Sequence, residues 1–77
     1  MLTTGNQLKA ARALAGIEQA KLAEMTGLNV NTIRNMEASG PEQIAGRAQN
    51  VTTIVRALDS LGIEFLNHGQ PGVRLRK

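Results

Sequence analysis

Between positions 30 and 35 the chain carries Val30, Asn31, Arg34 and Asn35: two amides, a guanidinium and an isopropyl group. In a helix that turns Ile33 and Met36 inward, these four side chains share the outer side. Their chemistry matches base-pair edges in a DNA major groove. Asn can bond adenine N6 and N7 together, Arg can bond guanine O6 and N7, and Val can touch a thymine methyl. The same composition also makes an ordinary solvated polar face, and composition alone leaves both readings open. Gln19 opens a second helical stretch, where its amide and the exposed N–H groups of a helix start suit an anionic oxygen. A plain polar residue at a helix start is the alternative. Asn29, Thr32 and Ser39 could likewise contact phosphate, or serve only as caps and local hydrogen-bond partners.

Other chemistries lack equipment. The 77 residues contain no Cys and one His, His68, which sits in a Gly- and Pro-rich turn. Thiolate zinc sites, disulfides, multi-histidine metal sites and a Cys nucleophile are therefore excluded, and Ser39 and Ser60 have no second His to activate them. No catalysis and no cofactor are expected. A 42% apolar and 19% charged composition fits one small globular domain over residues 1–77. The formal charge of +3 comes from Arg74, Arg76 and Lys77. Before Val73, six basic residues (Lys9, Arg12, Lys21, Arg34, Arg47, Arg56) face six acidic ones (Glu18, Glu24, Glu37, Glu42, Asp59, Glu64). Bulk charge thus says little about a polyanionic partner. No apolar run reaches the ~20 residues of a bilayer span, and no signal peptide is visible, so a cytoplasmic location without membrane contact is expected.

Apolar spacing and punctuation predict a mainly α fold of four short helices with extended C-terminal strands. The first helix is expected from about Gly5 to Ala15, with Thr4 and Gln7 forming a capping box, Leu8, Ala11, Leu14 and Ala15 inward, and Gly16 ending it. The second covers Gln19 to Thr26, presents Leu22, Ala23 and Met25, and stops at Gly27. The third runs from about Val30 to Ala38 with Asn29 as its cap. After Ser39-Gly40-Pro41 and a polar stretch to Gln49, the fourth runs from about Val51 to Leu61. It is capped by Asn50, turns Ile54, Ala57, Leu58 and Leu61 inward, and ends at Gly62. Ile63–Leu66 and Val73–Arg76 alternate around a turn at 67–72 and predict a β-hairpin.

The segment from Gln19 to Met36 has the residue types of a helix-turn-helix, with the motif at about 19–38. Ala23 is small where the next helix crosses, Gly27 supplies a positive φ, Leu28 plugs the core, and Ile33 and Met36 anchor the third helix. In order and spacing, residues from about Gly5 to Ile63 resemble the phage-repressor helix-turn-helix family of lambda repressor, Cro and the Xre-type regulators. The resemblance rests on Leu8-Lys9-Ala10-Ala11-Arg12, Gly16-Ile17-Glu18-Gln19, Leu22-Ala23, Gly27-Leu28, Thr32 to Glu37 and Leu61-Gly62-Ile63. It implies a transcriptional regulator, a repressor, that inserts the third helix into the major groove of double-stranded DNA. Val30, Asn31, Arg34 and Asn35 would read bases, and Gln19 would contact phosphate. Arg47 matches the family's loop arginine at the backbone or minor groove. Arg12 and Glu37 match positions that form a largely buried ion pair.

The sequence departs from that family in three places. Glu18 replaces the usual Ser or Thr cap, welcome at a helix N-terminus but repelled by a nearby phosphate. Val30 replaces a polar residue, and the repressors' fifth helix gives way to the segment 63–77. There Ile63, Phe65, Val73 and Leu75 are expected to cover the open end of the core, leaving Arg74, Arg76 and Lys77 in solvent. A homodimer would set two reading helices ~34–36 Å apart on a palindromic operator. The competing expectation is a protein-interaction module of the same fold, antitoxin-like, without base readout.

Overall fold

Thr4, extended at φ −125°, ends the N-terminal segment, and its hydroxyl accepts the Gln7 N–H at 3.1 Å to start α1 (Gly5–Ala15). Gly16 closes α1 in the left-handed conformation at φ 71°. The computed structural model describes residues 2–67 and 69–76 and continues through α2 (Gln19–Thr26), α3 (Val30–Glu37) and α4 (Ala48–Asp59). The strands β1 (Ile63–Leu66) and β2 (Gly72–Leu75) then form an antiparallel hairpin. The expected mainly α architecture with a C-terminal hairpin is present. His68 and Lys77, assigned above to the hairpin turn and the basic tail, lie outside the described residues.

One core joins every element. Leu8 and Ala11 of α1, Leu22 and Ala23 of α2, Ile33 and Met36 of α3, and Val51, Ile54 and Leu58 of α4 meet Leu2 and Ile63. The α2 helix packs on α3 and α4, while α1 packs on α3, α4 and both strands. The hairpin register sets Ile63 opposite Leu75 and Phe65 opposite Val73, and all four pack on the helical core. Glu64 and Arg74 pair across the other face. Such a short hairpin is marginal alone, and docking on α1 supplies what it lacks.

Two contacts bring α1 to its neighbours. At Gly5, an added Cβ would lie 2.7 Å from the Met36 and Glu37 carbonyl oxygens, so only glycine lets α1 start against the end of α3. The Gln7 side chain, 3% exposed, spends its carboxamide on two distant segments. Its oxygen accepts from the Thr3 and Thr4 N–H groups at 2.7 and 3.0 Å. Its Nε2 donates to the Leu66 and Gly72 carbonyls at 3.2 and 3.1 Å, bridging the hairpin where it opens into its turn.

Several expected details differ. The fourth helix starts at Ala48 rather than Val51, and its N-cap is Arg47, which makes no side-chain cap bond, rather than Asn50. Its C-cap is Ser60, with Gly62 in the following turn at φ 88°. Ala38 caps α3 instead of belonging to it, and the second strand begins one residue earlier, at Gly72. Leu14, Met25 and Leu61 are exposed rather than inward. Leu14 lies in the last turn of α1, and Leu61 lies beyond the end of α4, where helical spacing no longer aims it. The inward position at the end of α2 goes to Thr26 instead of Met25. Among the described residues, no helix is long and apolar enough to cross a membrane.

Candidate functional site

The corner between α2 and α3 is three residues long, Gly27-Leu28-Asn29. Gly27 sits at φ 73°, and its N–H donates to the Ala23 carbonyl at 2.9 Å. A Cβ at Gly27 would meet nothing within 4 Å, so the glycine is required by backbone conformation and not by crowding. The Thr26 hydroxyl fastens the turn from inside. It donates toward the Leu22 and Ala23 carbonyls at 2.8 and 3.2 Å and accepts the Leu28 N–H at 3.3 Å. Leu28 is thereby held half-buried against the core. Sequence reasoning missed Thr26. Its signal was a hydroxyl two residues before the plugging leucine.

Asn29 caps α3, its Oδ1 accepting the Asn31 N–H at 2.8 Å. Ile33, Met36 and Glu37 are buried, whereas Asn31, Arg34 and Asn35 are exposed on the outer side. Val30, expected on the outer side, is half-buried and packs against the core. Thr32 is half-buried as well. Two of the proposed readers touch: Arg34 Nη1 donates to Asn31 Oδ1 at 2.6 Å. That bond joins residues three apart on one helix face, a spacing at which side chains meet.

Behind this face lies a buried charge. Glu37, 2% exposed, accepts from Arg12 Nε on one oxygen and from Arg12 Nη2 at 2.9 Å on the other. Arg12 Nη1 also donates to the Ile17 carbonyl at 3.1 Å. The pair therefore ties α1, the turn before α2 and the end of α3 together. Hydrogen bonding to Glu37 raises the Arg12 pKa above its ordinary value, against the opposing pull of burial, so the guanidinium stays charged. Gln19 joins this network, its Nε2 donating to Glu37 Oε1 at 3.0 Å. Its side chain is thus partly committed inside the subunit, although the amide nitrogen carries a second N–H. The start of α2 has Glu18 as N-cap and no side-chain cap bond.

The remaining candidates divide. Ser39 is engaged locally, its hydroxyl accepting the Ala45 N–H at 2.9 Å. Arg47 is exposed at the start of α4. Arg74 and Arg76 are exposed but not free. Both bond Glu64, and Arg76 Nη2 also reaches Asp59 Oδ1 at 3.2 Å. Their hydrogen bonds hold the Glu64 carboxyl below its usual range. Among the described residues, no titratable side chain lines a hollow of about 590 Å³ bordered by Thr3, Thr4, Gln43, Ile44 and Val51. Among the described residues, no cluster of His, Cys, Asp or Glu could hold a metal ion. No protein-family model matches the sequence, and no curated protein matches it.

Proposed function

We propose that this chain is a small cytoplasmic transcriptional regulator, a repressor, that binds double-stranded DNA sequence-specifically and lays the outer face of α3 in the major groove. The observation that carries the reading is the sidedness of α3. Ile33, Met36 and Glu37 are buried, while Asn31, Arg34 and Asn35 stand together in solvent on a corner braced by Gly27 and Thr26. Val30 would add a methyl contact, and each well-formed bidentate pair discriminates by roughly 1–3 kcal/mol. Phosphates would be met by the second N–H of the Gln19 amide, by the N–H groups opening α2, and by Arg47. Asn29, Thr32 and Ser39 border this surface, with Asn29 and Ser39 chiefly supporting the backbone. As a homodimer the protein would read a palindrome.

The test is selection of bound duplexes from a random pool, followed by competition against random DNA. A palindromic sequence should emerge, and Asn31→Ala should relax preference at one step of each half-site. If no duplex out-competes random DNA, the chain is instead an antitoxin-like interaction module. The neutralised tail arginines favour that second reading, since they remove charge that a DNA binder could use.

A further inference from the structure

We infer that the outer edge of β2 is a docking surface for a second copy of this chain, whose own β2 pairs with it antiparallel about a two-fold axis at Arg74. This interface does not depend on DNA binding. The phase of the hairpin ladder points to it. The Arg76 N–H donates to the Gly62 carbonyl at 2.7 Å, so residues 62 and 76 form a hydrogen-bonded pair. With Ile63 opposite Leu75, such pairs recur at every second position, and 64–74 and 66–72 are the next two. Gln7 agrees with that phase, because its Nε2 reaches the Leu66 and Gly72 carbonyls together between the strands. The N–H and C=O groups of Val73 and Leu75 therefore point away from β1. Among the described residues, no hydrogen bond within the subunit takes them.

These outward donors and acceptors are self-complementary. When an identical strand runs antiparallel with Arg74 at the centre, Val73 of each copy meets Leu75 of the other, and every one of those groups finds a partner. Residues opposite each other in antiparallel strands share a face. Val73 and Leu75 of both copies thus continue the apolar layer that packs on the helices. A two-stranded ribbon is marginal alone, whereas four strands with one apolar face are not. The edge also lacks the usual guard, which is unpaired charge that repels an incoming strand. Arg74 bonds Glu64, and Arg76 bonds Glu64 and Asp59, so each arginine brings its own counter-charge. A groove of about 430 Å³ between Ala10, Pro41, Gly72 and Val73 leaves room for an extended chain beside the strand.

The test uses sedimentation equilibrium of the full chain, which should report twice the mass of one subunit. Methylating the Leu75 backbone nitrogen in a chemically synthesised chain removes one outward N–H per copy and spares both the side chain and the β1–β2 ladder. It should weaken dimerisation by about tenfold or more, with far-UV circular dichroism confirming that the subunit stays folded. The chain has no Cys, so a single thiol reports the register. Arg74→Cys would face its own copy across the axis with Cα atoms about 4.5 Å apart, within disulfide reach, and should oxidise to a covalent dimer. Arg76→Cys would lie about 14 Å from its copy along the strands and should not. A wild-type chain that stays monomeric leaves this edge to an extended segment of another protein and overturns the proposal. A dimer indifferent to the methyl group, with Arg74→Cys cross-linking no faster than Arg76→Cys, overturns it as well.

Discussion

Glu37 is the residue on which the geometry of the proposed reading helix most depends. Its carboxylate is buried, and its oxygens receive Arg12 and Gln19. A buried ion pair need not stabilise a fold more than apolar residues of the same volume, yet removing one partner strands a desolvated charge. Arg12→Ala should therefore cost about 3–5 kcal/mol in chemical denaturation. Joint replacement of Arg12 and Glu37 by Leu should cost markedly less than Arg12→Ala. A double variant as damaged as the single one would contradict this account. The positions of Arg12 and Glu37 were legible through the family resemblance, but the engagement of Gln19 was not. Gln19 looks like a free polar residue at a helix start until the end of α3 is brought against it. Asn31 and Arg34 were legible as exposed groups. Their bond to each other depends on rotamers, which residue types do not specify.

At the scale of elements, helix existence was legible and some boundaries were not. Capping chemistry located α1 and α3 because Thr4 and Asn29 do make side-chain caps. It misled at α4, where Asn50 looks like a cap but the helix already begins at Ala48. Ala48 and Gln49 are good helix formers, and the hydroxyls of Thr52 and Thr53 donate back to their carbonyls at 3.0 Å. Water can serve the first N–H groups of a helix start this exposed. Supplying the missing cap with Arg47→Ser should stabilise the fold by about 1 kcal/mol, read as a higher Tm. The same change should weaken DNA binding if Arg47 meets phosphate. The hairpin carries its own pH response. Glu64 is held below its ordinary value of 4.5, so its contribution is complete above that value and disappears as pH falls through the depressed one. Acid titration followed by amide exchange at residues 63–66 should show loosening below pH 4.5, and Glu64→Gln should remove that pH-dependent part.

For the whole molecule, charge pairing decides what a polyanion would meet. Sequence arithmetic located the excess of positive charge in the tail but could not show that Arg74 and Arg76 are turned back onto Glu64 and Asp59. The Glu64–Arg74 pair follows from strand register, which sets the two residues opposite each other. Of the cations proposed to face DNA, Arg34 and Arg47 have no ion-pair partner among the described residues. A dimer would bring about four such charges, so the slope of log K against log salt should be near −3.6 or shallower. A much steeper slope would mean that the tail pairs break on binding. The Gln7 bridge has a consequence of another kind. One carboxamide serves both the opening of α1 and the mouth of the hairpin, although these segments are 59 and 65 positions away in the chain. Neither can fray privately. If the terminal ribbon peels off, the first helix loses its latch, so the two ends of this polypeptide must melt together.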